Sequence, residues 1–167
     1  MVMKGKVRVL NLIIMFFIIS IFGVGYVEAK DSDRVWDIHF NNVNVTEGSV
    51  VGNTLLNKNK TSLSFNAPLQ KPGDFYEFSI NVINNGSKDA VIDEVSHTSL
   101  TDKQQRYLKY TTTYSDGTSI SKKDVLKSNE EKIILVRVEY KKDITASDLP
   151  TETEELNLEL NINYVEK

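Results

Sequence analysis

The chain has 167 residues, a formal net charge of −3 at pH 7 and no cysteine. A weakly acidic balance without long basic runs argues against a nucleic-acid groove or an anionic membrane surface as the partner. The lack of cysteine excludes disulfides, thiolate zinc sites and the lipid attachment of a lipoprotein, so we expect stability to come from packing alone.

The first thirty residues have the pattern of a secretory signal peptide. Three basic residues precede an apolar run at residues 12–24, and small residues stand at the −3 and −1 positions of a cleavage point between Ala29 and Lys30. The alternative is an uncleaved anchor, because the apolar stretch approaches the roughly 20 residues that span a bilayer. We predict that residues 1–29 are a signal peptide and that residues 30–167 form one exported domain, secreted or held at the cell surface.

Apolar and polar residues then alternate with period two, which is typical of strands with one buried face. The first strand, residues 35–45, places Trp36, Ile38 and Phe40 on one face, which we expect to be in the core, and then changes parity. That change predicts a bulge at residues 41–42. Six further strands are predicted at residues 63–67, 76–82, 89–96, 110–114, 133–140 and 156–164.

Turn and cap residues connect these strands. The sequence Asn85-Gly86 is typical of a tight turn, so we expect the strands on either side of it to pair as an antiparallel hairpin. A second hairpin turn is expected at Asp116-Gly117, with a short return arm that begins at Ile120. Between the two turns, Thr101 followed by Gln104 predicts a capping box and a helix of about two turns.

About seven strands, regularly spaced turns and one short helix predict an all-β fold. The expected architecture is an antiparallel two-sheet β-sandwich of Ig-like or jelly-roll topology. The nearly continuous apolar run at residues 133–140 predicts a strand that is buried on both faces or central in its sheet.

Residues 69–86 combine a Pro-Gly-Asp turn, an alternating strand and an Asn-Asn-Gly turn. This segment resembles the corresponding hairpin of bacterial surface Ig-like modules and of the TasA and camelysin family of exported biofilm-matrix proteins. Residues 110–117, 136–140 and 148–150 resemble features of exported proteins of Gram-positive bacteria that carry no known activity. The TasA resemblance implies a jelly-roll domain behind a signal peptide and assembly of subunits by strand donation. The camelysin resemblance implies a metal-dependent peptidase.

The residues themselves do not support catalysis. His39 and His97 are the only histidines, and they lack the His-Glu-x-x-His spacing that places two zinc ligands on one helix. His39 occupies a polar position of its strand and His97 follows a strand, so we expect both side chains to be solvated. The sequence also lacks a Gly-x-Ser-x-Gly elbow and a recognisable triad. We therefore predict no catalytic, cofactor-binding or metal-binding residues.

Acidic and aromatic clusters leave alternatives open. Acidic residues around Asp37 and at residues 143–155 could offer oxygen ligands to calcium, but without EF-hand spacing we expect them to be solvated. Tyr107, Tyr110 and Tyr114 either pack in the core or form an exposed aromatic patch that binds glycans.

These observations predict an exported, non-enzymatic cell-surface or extracellular-matrix protein. Its partners would be other subunits or surface and matrix components, with no nucleic acid, and with membrane contact only through the signal segment before cleavage. The alternatives are a camelysin-like metal-dependent peptidase and a glycan-binding module. Trp36, Ile38 and Phe40 mark a candidate donor strand that leaves its own sheet to pair with a neighbouring subunit. If that strand stays in its own sheet, the protein remains a monomer.

Overall fold

Two antiparallel sheets contain most of the chain that the computed structural model describes, which is residues 35–57, 61–150 and 156–167. The predicted antiparallel two-sheet β-sandwich is therefore confirmed. The predicted signal peptide and its cleavage point between Ala29 and Lys30 lie outside the described residues.

Nine strands are described. In chain order they are β1 (Ile38–Gly48), β2 (Asn53–Leu56), β3 (Ser62–Asn66), β4 (Phe75–Asn84), β5 (Ala90–His97), β6 (Leu108–Tyr114), β7 (Val125–Leu126), β8 (Glu131–Tyr140) and β9 (Asn157–Glu166). One helix, α1 (Asp102–Tyr107), precedes β6, and one 3-10 turn (Ala146–Asp148) follows β8. Sheet A has the order β1-β4-β8-β6, and sheet B has the order β2-β3-β9-β5-β7.

The strand pairs are nested along the chain. β3 pairs with β9, β4 with β8, and β5 with β7, while β6 meets the following arm through a bridge between Thr113 and Ser119. Successive pairs alternate between the two sheets, which is the wrapping of a jelly roll. Of the two predicted topologies, the chain therefore has the jelly roll. β1 and β2 extend the two sheets beside β4 and β3.

The hairpin predicted between β4 and β5 is wrong, because β4 pairs with β1 and β8 whereas β5 pairs with β7 and β9. A tight type I′ turn needs positive φ at both central residues, and neither Asn85 nor Gly86 has it. The buried side chain of Asn84 holds the corner instead. Its Nδ2 donates to the carbonyls of Lys88 and Leu126, and its Oδ1 accepts from the N–H of Gly86. The chain crosses here from sheet A to sheet B.

The core lies between the inner faces of the two sheets. Leu158, Leu160 and Ile162 of β9 are buried, as the alternation predicted, and β8 is central in sheet A, as its apolar run predicted. Across the sandwich, the Phe65 ring of sheet B meets the Phe78 ring of sheet A edge-on, with centroids 5.0 Å apart. Such contacts join the two sheets into one compact unit, Arg34–Lys167.

The first strand departs from the prediction in one respect. β1 begins at Ile38, so Trp36 precedes the sheet and its side chain is 44% exposed. The expectation that Trp36 lies in the core is therefore wrong, whereas Ile38 and Phe40 are buried as expected. The predicted bulge is confirmed, because the pairing with β4 shifts register around Asn42, which has a φ of 48°. Beyond the bulge, Val45 is exposed.

The turn before β4 is fixed by a buried carboxylate. Gly73 has a φ of 92°, and Asp74 accepts the N–H groups of Gln70 and Lys71 and the hydroxyl of Ser49. Burial acts to raise the pKa of the Asp74 carboxyl, but these hydrogen bonds outweigh it and hold the pKa below its ordinary value. The turn therefore favours the ionised acid.

The short elements were harder to predict. The capping box at Thr101 and Gln104 is confirmed, and so is the turn at Gly117, where φ is 85°. The return arm expected from Ile120 pairs with β6 one residue earlier, through an isolated antiparallel bridge between Ser119 and Thr113. β2 and β7 were not predicted, since four and two residues are too few to show a period. Among the described residues, no helix is long and apolar enough to cross a membrane.

Candidate functional site

The outer face of sheet B is rich in amides and hydroxyls. Because β9 turns its leucines and Ile162 inward, its alternate residues face outward. These outward residues are Asn157, Glu159, Asn161 and Asn163. The neighbouring strand β3 presents Ser62, Ser64 and Asn66 on the same face.

The registers of β2, β3 and β9 align these side chains in rows. Asn53 pairs with Asn66, which pairs with Asn157, so three amides follow one another across the strands. The next row runs from Leu55 through Ser64 to Glu159 in the same way. Directly opposed residues on neighbouring strands have Cβ atoms about 5 Å apart, so each row is continuous.

A shallow groove of about 290 Å³ lies over these two rows. Thr98, just beyond β5, forms part of its lining and is held in place by β9. The N–H of Glu159 donates to Thr98 Oγ1 at 2.8 Å, and the N–H of Thr98 donates to the Glu159 carbonyl at 3.1 Å. Sheet structure therefore fixes the backbone beneath the groove.

Much of the polar capacity of this groove is unused. Within the described part of the chain, the side chains of Asn53, Ser64 and Glu159 make no hydrogen bond or ion pair. Asn66 Nδ2 donates to Asn157 Oδ1 at 3.3 Å, a long contact. Leu55 adds an apolar side chain that is 61% exposed. The groove therefore offers donors, acceptors and one apolar contact to a ligand.

The outer face of sheet A is different, because its charged groups bind one another. Arg137 Nε donates to Glu139 at 2.8 Å and its Nη1 donates to Glu77 at 3.2 Å, while its guanidinium lies 4.0 Å from the centre of the Phe75 ring. Lys109 approaches Glu139 at 3.6 Å. The hydrogen bond from Arg137 lowers the pKa of Glu139 despite the opposing effect of burial. This face is an internally satisfied charge network.

A larger cleft of about 570 Å³ lies at the end of β6 and is also internally satisfied. Asp124 Oδ2 accepts from the Tyr114 hydroxyl at 3.0 Å and from the N–H of Ser121 at 2.8 Å. Lys132 Nζ donates to the Val125 carbonyl at 2.7 Å and lies over the Tyr114 ring. Asp124 and Lys132 therefore hold β7 and the arm before it.

The two histidines lie in different sheets. His39 Nδ1 of β1 donates to Asp37 Oδ1 over 3.1 Å, and the His39 side chain is only 18% exposed. The expectation of a solvated His39 is therefore wrong, because the ring binds Asp37 and most of its surface is buried. His97 at the end of β5 is exposed, as expected, with its ring 4.9 Å from that of Tyr110. The described residues contain no group of three or more His, Cys, Asp or Glu suited to a metal ion.

The tyrosines confirm the packing alternative. Tyr107 is buried against Tyr140, with ring centroids 5.4 Å apart, and Tyr110 meets Phe65 edge-on at 5.7 Å. Burial raises the pKa of both the Tyr110 and the Tyr114 hydroxyls. The exposed aromatic patch considered from the sequence is therefore not formed by these residues.

The acidic clusters are only partly described. Asp37 binds His39, and Asp148 lies 3.8 Å from Arg106. Asp143 is exposed, as expected. The remaining members, Asp31, Asp33, Glu152, Glu154 and Glu155, lie outside the described residues.

Comparison of the chain with protein-family models, with curated proteins and with solved structures finds no match. Its function is therefore inferred from its own strand edges and outer faces. Sequence reasoning missed the groove on sheet B. The outward asparagines of β9 were visible as the polar half of an alternation, but only the strand order brings them beside Asn66 and Asn53.

Proposed function

We propose that this protein is exported and acts, without catalysis, as a cell-surface or extracellular-matrix component whose subunits assemble by strand addition. The observation that carries the assembly is the position of β1. β1 is the first described strand of the domain and lies at an edge of sheet A, where it pairs with β4.

β1 couples its backbone pairing to side-chain burial. Ile38 and Phe40 are 8% and 3% exposed, and they enter the core beside Val82 of β4. If β1 leaves, it opens both the free edge of β4 and the space that these two side chains fill. The β1 strand of a second subunit has the same sequence, so it satisfies both needs, with backbone hydrogen bonds and matched apolar pockets.

The donated strand stays close to its own subunit. Residues 49–52 connect β1 to β2, and four extended residues reach about 14 Å at most. Neighbouring subunits would therefore be in direct contact. A head-to-tail series of such donations grows as an open filament when its rotation does not close.

Export is proposed from the pattern of residues 1–29. Mass spectrometry of the protein recovered from culture medium or cell wall tests it. We expect a mature chain that begins at Lys30, and a chain retaining its first residues in the membrane fraction would contradict cleavage after Ala29.

A reversible cross-link tests the donation. Because the chain has no cysteine, His39→Cys with Ile83→Cys introduces one disulfide between opposed residues of β1 and β4. The matched control, Thr113→Cys with Leu135→Cys, joins β6 to β8 instead. Light scattering and electron microscopy would follow assembly of residues 30–167 with each disulfide oxidised and then reduced.

We expect the β1–β4 disulfide to keep the protein monomeric until it is reduced, and the control to assemble in both states. Two results would contradict strand donation. One is a folded wild-type protein that stays monomeric, and the other is a β1–β4 disulfide that leaves assembly unchanged.

A further inference from the structure

We propose that the groove on the outer face of sheet B binds a neutral polysaccharide, with its chain lying along the row of amides formed by Asn53, Asn66 and Asn157. This inference goes beyond the proposed function and does not depend on strand donation.

The lining matches the hydrogen-bonding chemistry of sugars. A sugar hydroxyl both donates and accepts, and so do the amide side chain of Asn and the hydroxyls of Ser and Thr. Three amides line one side of the groove, and Ser64 and Thr98 contribute hydroxyls to the other. Each row can therefore engage hydroxyl groups in either orientation.

Glu159 adds a strong acceptor. Its side chain is exposed and makes no ion pair within the described residues. A carboxylate can accept from two neighbouring hydroxyls at once, and hydrogen bonds to a charged acceptor are stronger than neutral ones. Beside it, the exposed Leu55 offers an apolar surface to the C–H groups on one side of a pyranose ring.

The spacing favours an extended chain. Neighbouring strands lie about 4.8 Å apart, which is comparable with the length of one pyranose unit along a polysaccharide. Amides on three successive strands would then meet successive sugar units. The registers of β2, β3 and β9 place those amides in line.

Charge selects against other ligands. Among the described residues that line the groove, Glu159 is the one carboxylate, and none is a lysine or an arginine. The Glu159 carboxylate would therefore repel an anionic glycan, and no neighbouring cation in the described lining would offset that repulsion. A calcium ion needs six to eight oxygen ligands, usually with several carboxylates, and one carboxylate on a flat face does not provide them.

A titration followed by NMR tests the site directly on residues 30–167. The probes are hexasaccharides of β-linked glucose, mannose and N-acetylglucosamine, with a hexamer of galacturonic acid as the anionic comparison. We expect at least one neutral probe to shift the side-chain amide signals of Asn53, Asn66 and Asn157, with a Kd of about 1 mM or lower. The anionic hexamer should leave these signals unchanged.

Variants on a single strand separate the groove from its surroundings. Asn157→Ala and Glu159→Gln should each weaken binding about two- to tenfold, the loss expected for one hydrogen-bonding group. Asn163→Ala is the matched control, since it lies on the same strand and face but about 20 Å along β9. It should bind like the wild type.

Three results would overturn the site. They are the absence of amide shifts with every neutral probe, shifts centred elsewhere on the domain, and equal weakening by Asn163→Ala. The protein locked by the β1–β4 disulfide should still bind, so a failure of strand donation and a failure of this site give different results.

Discussion

The charge network on sheet A and the groove on sheet B use polar residues in opposite ways. On sheet A, Arg137 contacts Glu77, Glu139 and the Phe75 ring, so its charge is balanced within the face. On sheet B, Asn53 and Glu159 point outward without a partner in the described chain. The network on sheet A therefore contributes to stability, and the groove on sheet B keeps its hydrogen-bonding capacity for a ligand.

This difference cannot be seen in the inner faces. Both sheets contribute fully buried apolar side chains, and Phe65 and Phe78 meet across the core. A change in the core should therefore affect both sheets together, whereas a change on an outer face should affect one property at a time.

The largest loss of stability is expected from a substitution in the core. Phe78 is 0% exposed, and Phe78→Ala removes a ring from between the sheets, which should lower the free energy of unfolding by about 3 to 5 kcal/mol. Urea denaturation measures this free energy. Val51→Ala is the control, because Val51 is 93% exposed and should change stability by less than about 0.5 kcal/mol. A loss below about 1 kcal/mol for Phe78→Ala would contradict the two-sheet packing.

A smaller loss of stability is expected from a substitution on the outer face of sheet A. Arg137→Ala leaves two carboxylates without their shared donor and exposes the Phe75 ring, so we expect a loss of about 1 to 2 kcal/mol. Arg137→Lys keeps the charge but not the planar fork that reaches both acids, and it should recover only part of that loss. Full recovery by lysine would show that charge alone matters.

Acid should weaken the charge network on sheet A. The folded-state pKa of Glu139 is lowered, so its contribution is present above the ordinary carboxyl pKa and is lost as pH falls through the folded value. Glu139→Gln lacks this contribution. The stability difference between wild type and variant should therefore stay constant from pH 7 down to the ordinary carboxyl pKa and shrink below it, as urea denaturation is repeated down to about pH 3. A difference that stays constant across the whole pH range would contradict an ionised, paired Glu139.

The smallest stability effect is expected on sheet B. Asn157 is exposed and makes one long hydrogen bond to Asn66, so Asn157→Ala should change the free energy of unfolding by less than about 0.5 kcal/mol. A loss as large as that of Arg137→Ala would show that the amide row is structural.

The sequence predicted the parts of this fold that depend on local alternation. The buried residues of β9 and the bulge near Asn42 follow from side-chain period and its interruption. The corner at Asn85-Gly86 could not be predicted in this way. It depends on the buried amide of Asn84, which bonds to the carbonyl of Leu126, a residue distant in sequence. Such long-range bonds carry no local signal.

The groove was unpredictable for the same reason. Its rows combine β2, β3 and β9, which are joined only by sheet order, and β2 is too short to show a period. Trp36 illustrates the reverse error, since its parity matched the core but the strand begins two residues later.

The most direct test measures both properties on the same two variants. Stability from urea denaturation and affinity from the oligosaccharide titration would be determined for Arg137→Ala and for Asn157→Ala. We expect Arg137→Ala to lose stability and keep its affinity, and Asn157→Ala to lose affinity and keep its stability. If both variants lose the same property, or if neither protein binds a neutral oligosaccharide, the division between the two faces is contradicted.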